Sequence, residues 1–282
     1  MKITRFHIGT QKAGSTYLYN LFSSHSGVNL GRVTEINYFS KNYEKGGNWY
    51  RGKFKGNGDF IDTSPKYFMQ GEEVAPRMKE YERSLGGEKI QMMLILRNPV
   101  DYLYSHFQMH LKHNFFKTHP GKFPKLSTDI MEFTKMYPEY LERGFYFKLL
   151  HQYWLKYFDI QQFKIVFFEE FVSNTQVVLK GILDFWGLKN IPLDAKGVSK
   201  NKKLKFNILF KVQKKIIKNE KLKRKLKQSR IFNYIYNKFL TEDTKEKIFK
   251  EQREYLKEIY NEDVGKLKKL LDNKINGWED FL

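Results

Sequence analysis

The sequence predicts one α/β domain in which helices flank a central, mainly parallel β-sheet, with a helical extension at the C-terminus. Two short apolar segments, at 3–8 and 90–96, are each followed by apolar residues at helical spacing, which indicates strand–helix units. A glycine-bounded loop joins the first strand to its helix. The 282 residues, 41% of them hydrophobic, are enough to bury one large core.

The first strand–helix unit contains the most informative loop. Its residues are Gly9, Thr10, Gln11, Lys12, Ala13, Gly14, Ser15 and Thr16. The glycines permit a sharp turn in which N–H groups point inward, the next helix adds its partially positive N-terminus, and Lys12 adds a full charge. These features predict a phosphate cradle and a P-loop-like fold, with an ordinary strand-to-helix turn as the alternative. Since Ser15 follows Gly14 directly, with no lysine between them, an ATPase is disfavoured.

The next elements lie between the two apolar strands. Residues 31–38 are predicted to cross the mouth of the sheet as a loop that carries Glu35, a candidate general base whose alternative is a surface glutamate. A helix near 42–50 holds Trp49 among cations, which suits a sugar-binding wall, although such aromatics more often pack in a core. A short strand at 60–62 ends before Lys66, which is placed to face a ligand. A helix over 77–85 then completes a βαβ crossover.

A second phosphate site is predicted where the apolar strand 90–96 ends. Arg97 leaves the carboxyl edge of this strand, and Pro99 suits the first turn of a helix that carries Ser105. An arginine can grip a phosphate through forked N–H donors, and a serine hydroxyl adds a further bond. Two phosphate sites imply a bisphosphate ligand.

These motifs together resemble the sulfotransferases that use 3′-phosphoadenosine 5′-phosphosulfate (PAPS), particularly the carbohydrate branch with the heparan sulfate enzymes. The loop from Gly9 to Thr16 is similar to the family's 5′-phosphosulfate loop. Arg97 and Ser105 are similar to the family's 3′-phosphate motif. Further similar segments are Thr34-Glu35-Ile36-Asn37-Tyr38-Phe39, Asp62-Thr63-Ser64-Pro65-Lys66-Tyr67-Phe68, Gly144-Phe145-Tyr146, the strand, acidic turn and helix at 163–188, and the closing Gly277-Trp278.

The resemblance implies a sulfotransferase of the EC 2.8.2 type, which moves a sulfuryl group from PAPS to a hydroxyl or amine, with adenosine 3′,5′-bisphosphate (PAP) as product and no metal required. Glu35 is the expected base, Lys12 the expected partner of the leaving phosphate, and His106 is expected to assist the acceptor. Tyr146 and the residues Ser199, Lys200 and Lys202 are expected near the cofactor. Lys66, Trp49 and His110 are expected to face the acceptor, which is expected to be a carbohydrate.

The second half of the chain is predicted to be largely helical. His106, His110 and His113 follow on the helix after Arg97 at a spacing that can bind a metal, but no nearby acid completes a set, so a histidine that points into the cleft is favoured. Residues 115–138, with three prolines, are predicted as a long mobile loop. A helix over 144–158, a strand over 163–168, a helix ending near Gly187 and helices after the N-cap Thr241 follow.

The chain carries a net charge of +20, and residues 196–230 hold 15 Lys or Arg against one acid. This basic run suits a polyanionic glycan or an anionic membrane surface, while nucleic acid is disfavoured because no aromatic recognition motif accompanies it. A solvated helical face is the structural alternative. We divide the single domain 1–282 into an α/β core, 1–195, and a segment, 196–282, that covers the cofactor and adds the C-terminal helices.

Other features bear on location and on rival functions. There is no cysteine, no apolar run long enough to span a membrane and no signal peptide before the first strand, so we expect a cytoplasmic protein with possible attachment to a membrane surface. The rival functions are a P-loop kinase, which would require magnesium, and a polyanion-binding protein without catalysis. Within the family, a small alcohol, amine or lipid headgroup remains an alternative acceptor.

Overall fold

The computed structural model describes residues 1–113, 129–191, 248–275 and 277–282, and it confirms the predicted α/β fold. The strands are β1 (Arg5–Gly9), β2 (Val28–Asn29), β3 (Asp59–Thr63), β4 (Gln91–Leu96) and β5 (Phe163–Phe167). The first helices are α1 (Ser15–Ser23), α2 (Gly46–Arg51), α3 (Gly71–Arg83) and α4 (Pro99–His113). They are followed by α5 (Ile130–Met136), α6 (Pro138–Glu142), α7 (Tyr146–Leu149), α8 (Phe168–Ser173), α9 (Thr175–Phe185) and α10 (Lys250–Leu270).

The sheet has the order β2-β3-β1-β4-β5, and all its strand pairs are parallel. Strand β1 lies at the centre, with Phe6 opposite Asp62 of β3 and Met92 of β4. The βαβ crossover from β3 through α3 to β4 therefore passes across β1. The carboxyl ends of β1, β3 and β4 meet at one edge, and the candidate phosphate loop, Lys66 and Arg97 all follow these ends.

Strand β4 is buried on both faces, which explains its continuous apolar sequence from Met92 to Leu96. Residues 92–96 of β4 and both Phe6 and Ile8 of β1 have no exposed surface. One face of the sheet packs against α1 and α9, whose side chains form a continuous core with the strands. The members of that core include Leu18, Leu21, Phe22, Ile61, Met93, Ile95, Val166, Leu179, Ile182 and Trp186.

The structure corrects the loop predicted over 115–138. Residues 114–128 lie outside the described part, but α5 and α6 occupy most of 130–142. Asp129 caps α5, because its carboxylate accepts from the N–H groups of Met131 and Glu132 at 2.8 and 2.9 Å. Pro138, the last residue of the predicted loop, instead occupies the first turn of α6, where its missing N–H costs nothing.

Three predicted helices also have different bounds. Helix α3 begins at Gly71, well before residue 77, and contains Pro76. The helix predicted over 144–158 is a short α-helix, α7, that continues as a π-helical turn at Leu150–Trp154. The helix after β5 is divided into α8 and α9, which meet at Asn174. Element type was therefore predicted better than element ends, as is general for local sequence patterns.

The C-terminal residues form one compact unit with the α/β core. Arg253 of α10 binds both carboxylate oxygens of Asp280 at 2.7 and 2.6 Å and also Asp101 of α4 at 2.9 Å. Asp280 accepts from the Asn98 amide at 2.7 Å. This network ties the chain end to the residue that follows Arg97. The predicted N-cap Thr241 lies outside the described residues.

Candidate active site

The Gly9–Thr16 loop is anchored to strand β4 and leads into the uncapped N-terminus of α1. The Thr10 N–H and hydroxyl both donate to the Ile95 carbonyl, at 2.8 and 3.0 Å, so the Thr10 side chain is occupied within the fold. Lys12 and Gly14 have positive φ values of 64° and 82°. Gly14 is the N-cap of α1 and makes no side-chain capping bond, so the first amides of α1 remain available to an anion.

The remaining loop residues differ in what they can present. Ala13 is buried and contributes through its backbone, while Gln11, Lys12 and Ser15 are partly accessible and Thr16 is exposed. At Gly9, a Cβ atom would lie 2.7 Å from the Phe68 Cβ, so only glycine fits without a shift. The loop therefore combines a fixed backbone with one accessible ammonium group, as a phosphate cradle requires.

Arg97 joins the two predicted phosphate motifs. Its Nη1 donates to the Lys12 carbonyl at 3.1 Å, across 85 residues of sequence. Its guanidinium carbon lies 5.0 Å from the ring centre of Phe168, and the same ring lies 3.2 Å from a Cβ placed on Gly14. Sequence analysis missed Phe168, although an aromatic residue directly after β5 was a usable signal. Ser105 lies partly buried on α4, two turns beyond Arg97.

Glu35 and Lys66 are paired at the same edge of the sheet. The Lys66 Nζ lies 3.1 Å from the Glu35 Oε2, and both side chains are more than one third exposed. Glu35 has φ of 58°, and its N–H donates to the Thr63 carbonyl at 3.1 Å. The carboxylate is therefore accessible and held beside a cation, on backbone anchored to β3.

His106 and His110 are both about 1% exposed, so neither faces an open cleft. Burial, reinforced by the positive charges of Arg143, Lys12 and Arg97, lowers the pKa of His106 to about 2. A neutral imidazole of this kind can exchange hydrogen bonds but is a poor base. Both its nitrogens lack hydrogen-bond partners among the described residues. His113 has no described side chain.

Tyr146 lies in the same buried region. It is fully buried, and its hydroxyl also lacks a hydrogen-bond partner within the described part of the chain. Burial raises its pKa well above the usual range, and Arg97 is one of the charges that act on it. An orphaned buried hydroxyl near Arg97 fits contact with a ligand oxygen.

Trp49 does not present a bare aromatic face. The ammonium groups of Lys45 and Lys53 lie 4.7 and 4.0 Å from the centre of its ring. An acceptor that reached this side chain would therefore meet cations as well as the indole.

Several predicted features cannot be placed. Ser199, Lys200, Lys202 and the basic run lie outside the described residues. In the described ranges no three His, Asp or Glu side chains are grouped as metal ligands would be. No helix among these ranges combines the length and the apolar character that a membrane span requires.

The chain is similar in sequence to known proteins. Residues 5–269 match the model of the sulfotransferase domain family. The mouse heparan sulfate glucosamine 3-O-sulfotransferase 5 is 34% identical over 168 residues, which are 56% of this chain and 46% of that protein. The bifunctional heparan sulfate N-deacetylase/N-sulfotransferase 1 of Caenorhabditis briggsae is 27% identical over 208 residues, 66% of this chain and 23% of that protein. The match thus spans less than half of each of these relatives.

Solved structures show the same fold. A sulfotransferase from Alicyclobacillus acidocaldarius superposes with a TM-score of 0.63 at 18% identity, covering 99% of both chains. The mouse sulfotransferase SULT7A1 complexed with PAP has a TM-score of 0.52 at 16% identity, covering 96% of this chain and 88% of that one. Because the family match extends over nearly the whole chain, this protein belongs to the sulfotransferase domain family.

Proposed function

We propose that this protein transfers a sulfuryl group from PAPS to a hydroxyl or amine of a carbohydrate acceptor. The observation that carries the proposal is the contact between Arg97 and the Lys12 carbonyl, because it joins two phosphate-binding motifs into one site for a ligand with two phosphates. The heparan sulfate enzymes among the relatives support a carbohydrate acceptor.

The residues present fit PAPS. The backbone of Gly9–Thr16 and Lys12 would hold the 5′-phosphosulfate, and Arg97 with Ser105 would hold the 3′-phosphate. Tyr146 offers an unpartnered buried hydroxyl near Arg97. Of the predicted basic contacts, Ser199, Lys200 and Lys202 remain predictions. PAPS, when bound, supplies the sulfuryl group.

The chain's own residues supply proton removal and charge stabilisation. Glu35 takes the acceptor proton, and its partial exposure lets an acceptor reach it. Lys66, 3.1 Å from this carboxylate, keeps it oriented and can contact the acceptor. Lys12 and the amides at the start of α1 stabilise the negative charge that develops on the leaving phosphate. His106, neutral at physiological pH, has a hydrogen-bonding role rather than that of a base.

The test is sulfur-35 transfer from labelled PAPS to desulfated heparan sulfate, with a disaccharide, a phenol and a glycolipid as comparison acceptors. Magnesium chelation by EDTA should leave the rate unchanged, which separates this reaction from that of a P-loop kinase. Label in the polysaccharide supports the proposal. Transfer only to the phenol would overturn the carbohydrate acceptor, whereas label in the sugar of the glycolipid would still support it. No transfer together with no binding of PAP would overturn the sulfuryl transfer itself.

A further inference from the structure

A buried carboxylate lies directly beneath the loop that carries Glu35. Asp62, near the end of β3, has no exposed surface. Its Oδ1 accepts from the Ser64 hydroxyl at 2.6 Å, and its Oδ2 accepts from the hydroxyls of Tyr50 and Tyr67, each at 3.0 Å. An ionised carboxylate has about four acceptor sites, so the three hydroxyls satisfy most of the hydrogen-bonding capacity of this buried group, and Asp62 in turn fixes the direction of each hydroxyl.

Two of the three hydroxyls continue to the Glu35 loop. The Ser64 oxygen accepts from the Asn37 N–H at 2.9 Å, and the Tyr67 oxygen accepts from the Phe39 N–H at 3.3 Å. Each hydroxyl has a single hydrogen. Because Asp62 takes both hydrogens, the hydroxyl lone pairs must face the amides of the loop.

The loop needs such support because its backbone conformation is unfavourable. Glu35 and Asn37 have φ values of 58° and 51°, in the left-handed region that costs non-glycine residues energy. The Asn37 side chain also donates to the Glu35 carbonyl at 3.0 Å. The bonds at Asn37 and Phe39 therefore stabilise the backbone immediately after Glu35 in this conformation, together with the Asn42 side chain, which donates to the Ile36 carbonyl at 2.9 Å.

From this chain of contacts we infer that Asp62 is a positioning residue, which acts through Ser64 and Tyr67 to fix the loop that presents the Glu35 carboxylate. This inference rests on the proposed function, in which Glu35 is the base. Burial raises the pKa of Asp62 to about 6, and the three hydroxyls oppose this rise, so the carboxylate is ionised at neutral pH and can only accept hydrogen bonds.

The third hydroxyl provides a matched control. Tyr50 donates to the same Oδ2 at the same 3.0 Å as Tyr67, and its ring stacks on Tyr38 with centroids 4.3 Å apart. Tyr50→Phe therefore removes one bond to Asp62 but keeps the ring and the bonds at Asn37 and Phe39. Ser64→Ala removes one bond to Asp62 and also frees the Asn37 amide. Tyr67→Phe removes another bond to Asp62 and frees the Phe39 amide, and it replaces Ser64→Ala in the test if that variant does not fold.

The first readout is amide hydrogen exchange of residues 35–39 in the full chain, which needs no substrate. We expect at least tenfold faster exchange at Asn37 in Ser64→Ala and at Phe39 in Tyr67→Phe, with less than twofold change in Tyr50→Phe. Equal exchange in all three variants would overturn the inference.

The second readout is transfer from PAPS to desulfated heparan sulfate. Ser64→Ala should lower kcat at least tenfold while KM for PAPS stays within twofold, and it should have no further effect when Glu35→Gln is already present. If Glu35→Gln retains wild-type turnover, the proposed base is wrong, whereas hydrogen exchange still tests the support of the loop. If Glu35→Gln is inactive but Ser64→Ala has the same kcat as Tyr50→Phe, Glu35 remains the proposed base and the positioning role of Asp62 is overturned.

Discussion

Glu35 is the residue on which the proposed chemistry depends most. Its carboxylate is accessible, paired with Lys66, and held on a backbone that β3 and the hydroxyls of Ser64 and Tyr67 constrain. A carboxylate that only occupied the surface would need none of this support. The geometry therefore favours a functional role over the surface-glutamate alternative.

We predict that Glu35→Gln lowers kcat by about 10²- to 10⁴-fold, because the amide keeps the shape of the side chain but cannot take a proton. PAP affinity, measured by calorimetric titration, should change less than twofold. Glu44→Gln, at an exposed glutamate in the same region, is the control and should retain full turnover. Wild-type turnover in Glu35→Gln would remove Glu35 from the mechanism.

His106 should make the fold sensitive to acid. Its folded pKa, about 2, lies below its usual value of 6.5, so the unfolded chain binds a proton below pH 6.5 that the folded chain excludes. Neutral His106 therefore lowers the free energy of unfolding least above pH 6.5, and the protein loses stability as the pH falls below that value. Between pH 7 and 5 this loss amounts to about 2 kcal/mol.

His106→Phe should lose that part of the pH dependence. Urea unfolding at pH 7 and pH 5 measures it, as the difference in unfolding free energy between wild type and variant at the two pH values. The raised pKa of Asp62 acts in the opposite direction and is common to both proteins, so it cancels in this comparison. An identical pH dependence in the two proteins would show that His106 can be protonated within the fold.

Among the elements, the contact between α10 and the start of α7 is close enough for a single substitution to test it. A Cβ atom at Gly144 would lie 2.6 Å from the Tyr260 ring, and the Asp263 carboxylate accepts from the Phe147 and Lys148 amides at 2.9 and 2.8 Å. Helix α10 thus holds the N-terminus of the helix that carries Tyr146.

Gly144→Ala should destabilise the protein by about 1–3 kcal/mol through overpacking against Tyr260. Gly265→Ala is the matched control, because a Cβ there meets nothing within 4 Å. At this helix-interior position alanine should be neutral or stabilising by up to about 1 kcal/mol. Thermal or urea unfolding of the two variants measures both effects, and equal stabilities would contradict the packing of α10 on α7.

The sequence patterns predicted β1, β3, β4 and β5 but not the two-residue strand β2, and they predicted the helix ends poorly. Strand β4 is a continuous apolar run that is buried on both faces, while β1 and β5 are mainly apolar with one or two polar residues, and these compositions leave a strong local signal. The π-helical turn at Leu150–Trp154 ends at a side chain that packs against Gly71, a residue distant in sequence. No pattern local to that turn contains this information.

The residues of the candidate site also differ in how far the sequence predicts them. Lys12, Arg97 and Glu35 were found because each belongs to a motif of characteristic residues. The family resemblance built on these motifs is confirmed by the family match, whereas the individual roles of the residues remain predictions. The burial of His106 and the bonds that Asp62 accepts from Ser64, Tyr50 and Tyr67 were not predictable, because they arise from tertiary contacts that spacing does not reveal.

For the whole molecule, the uneven charge suggests a polyanionic partner. The net charge is +20, and the basic run at 196–230 contributes 15 of the 51 Lys and Arg residues. Such a concentration of cations would draw an acidic glycan or an anionic membrane surface to the enzyme. Lys200 and Lys202, at the start of the run, are expected to contact PAPS, whereas the lysines from Lys211 onward are expected to act separately from the PAPS site.

We predict that neutralising part of the basic run weakens heparin binding without affecting PAP. The variant replaces six lysines by glutamine, at Lys211, Lys214, Lys215, Lys218, Lys221 and Lys223. It should elute from immobilised heparin at a lower salt concentration, because fewer counterions are released on binding. Unchanged elution would assign heparin binding to another surface, and lost PAP affinity would place these lysines at the cofactor.

We propose above all that the Gly9–Thr16 loop and Arg97 form one site for a nucleotide bisphosphate. The decisive measurement is calorimetric titration of PAP, without added metal, into wild type, Arg97→Ala and the exposed-arginine control Arg32→Ala. Loss of charge-assisted hydrogen bonds should weaken PAP binding by about 10- to 100-fold in Arg97→Ala and leave the control unchanged. Failure of the wild-type protein to bind PAP, or equal affinity in Arg97→Ala, would contradict the claim.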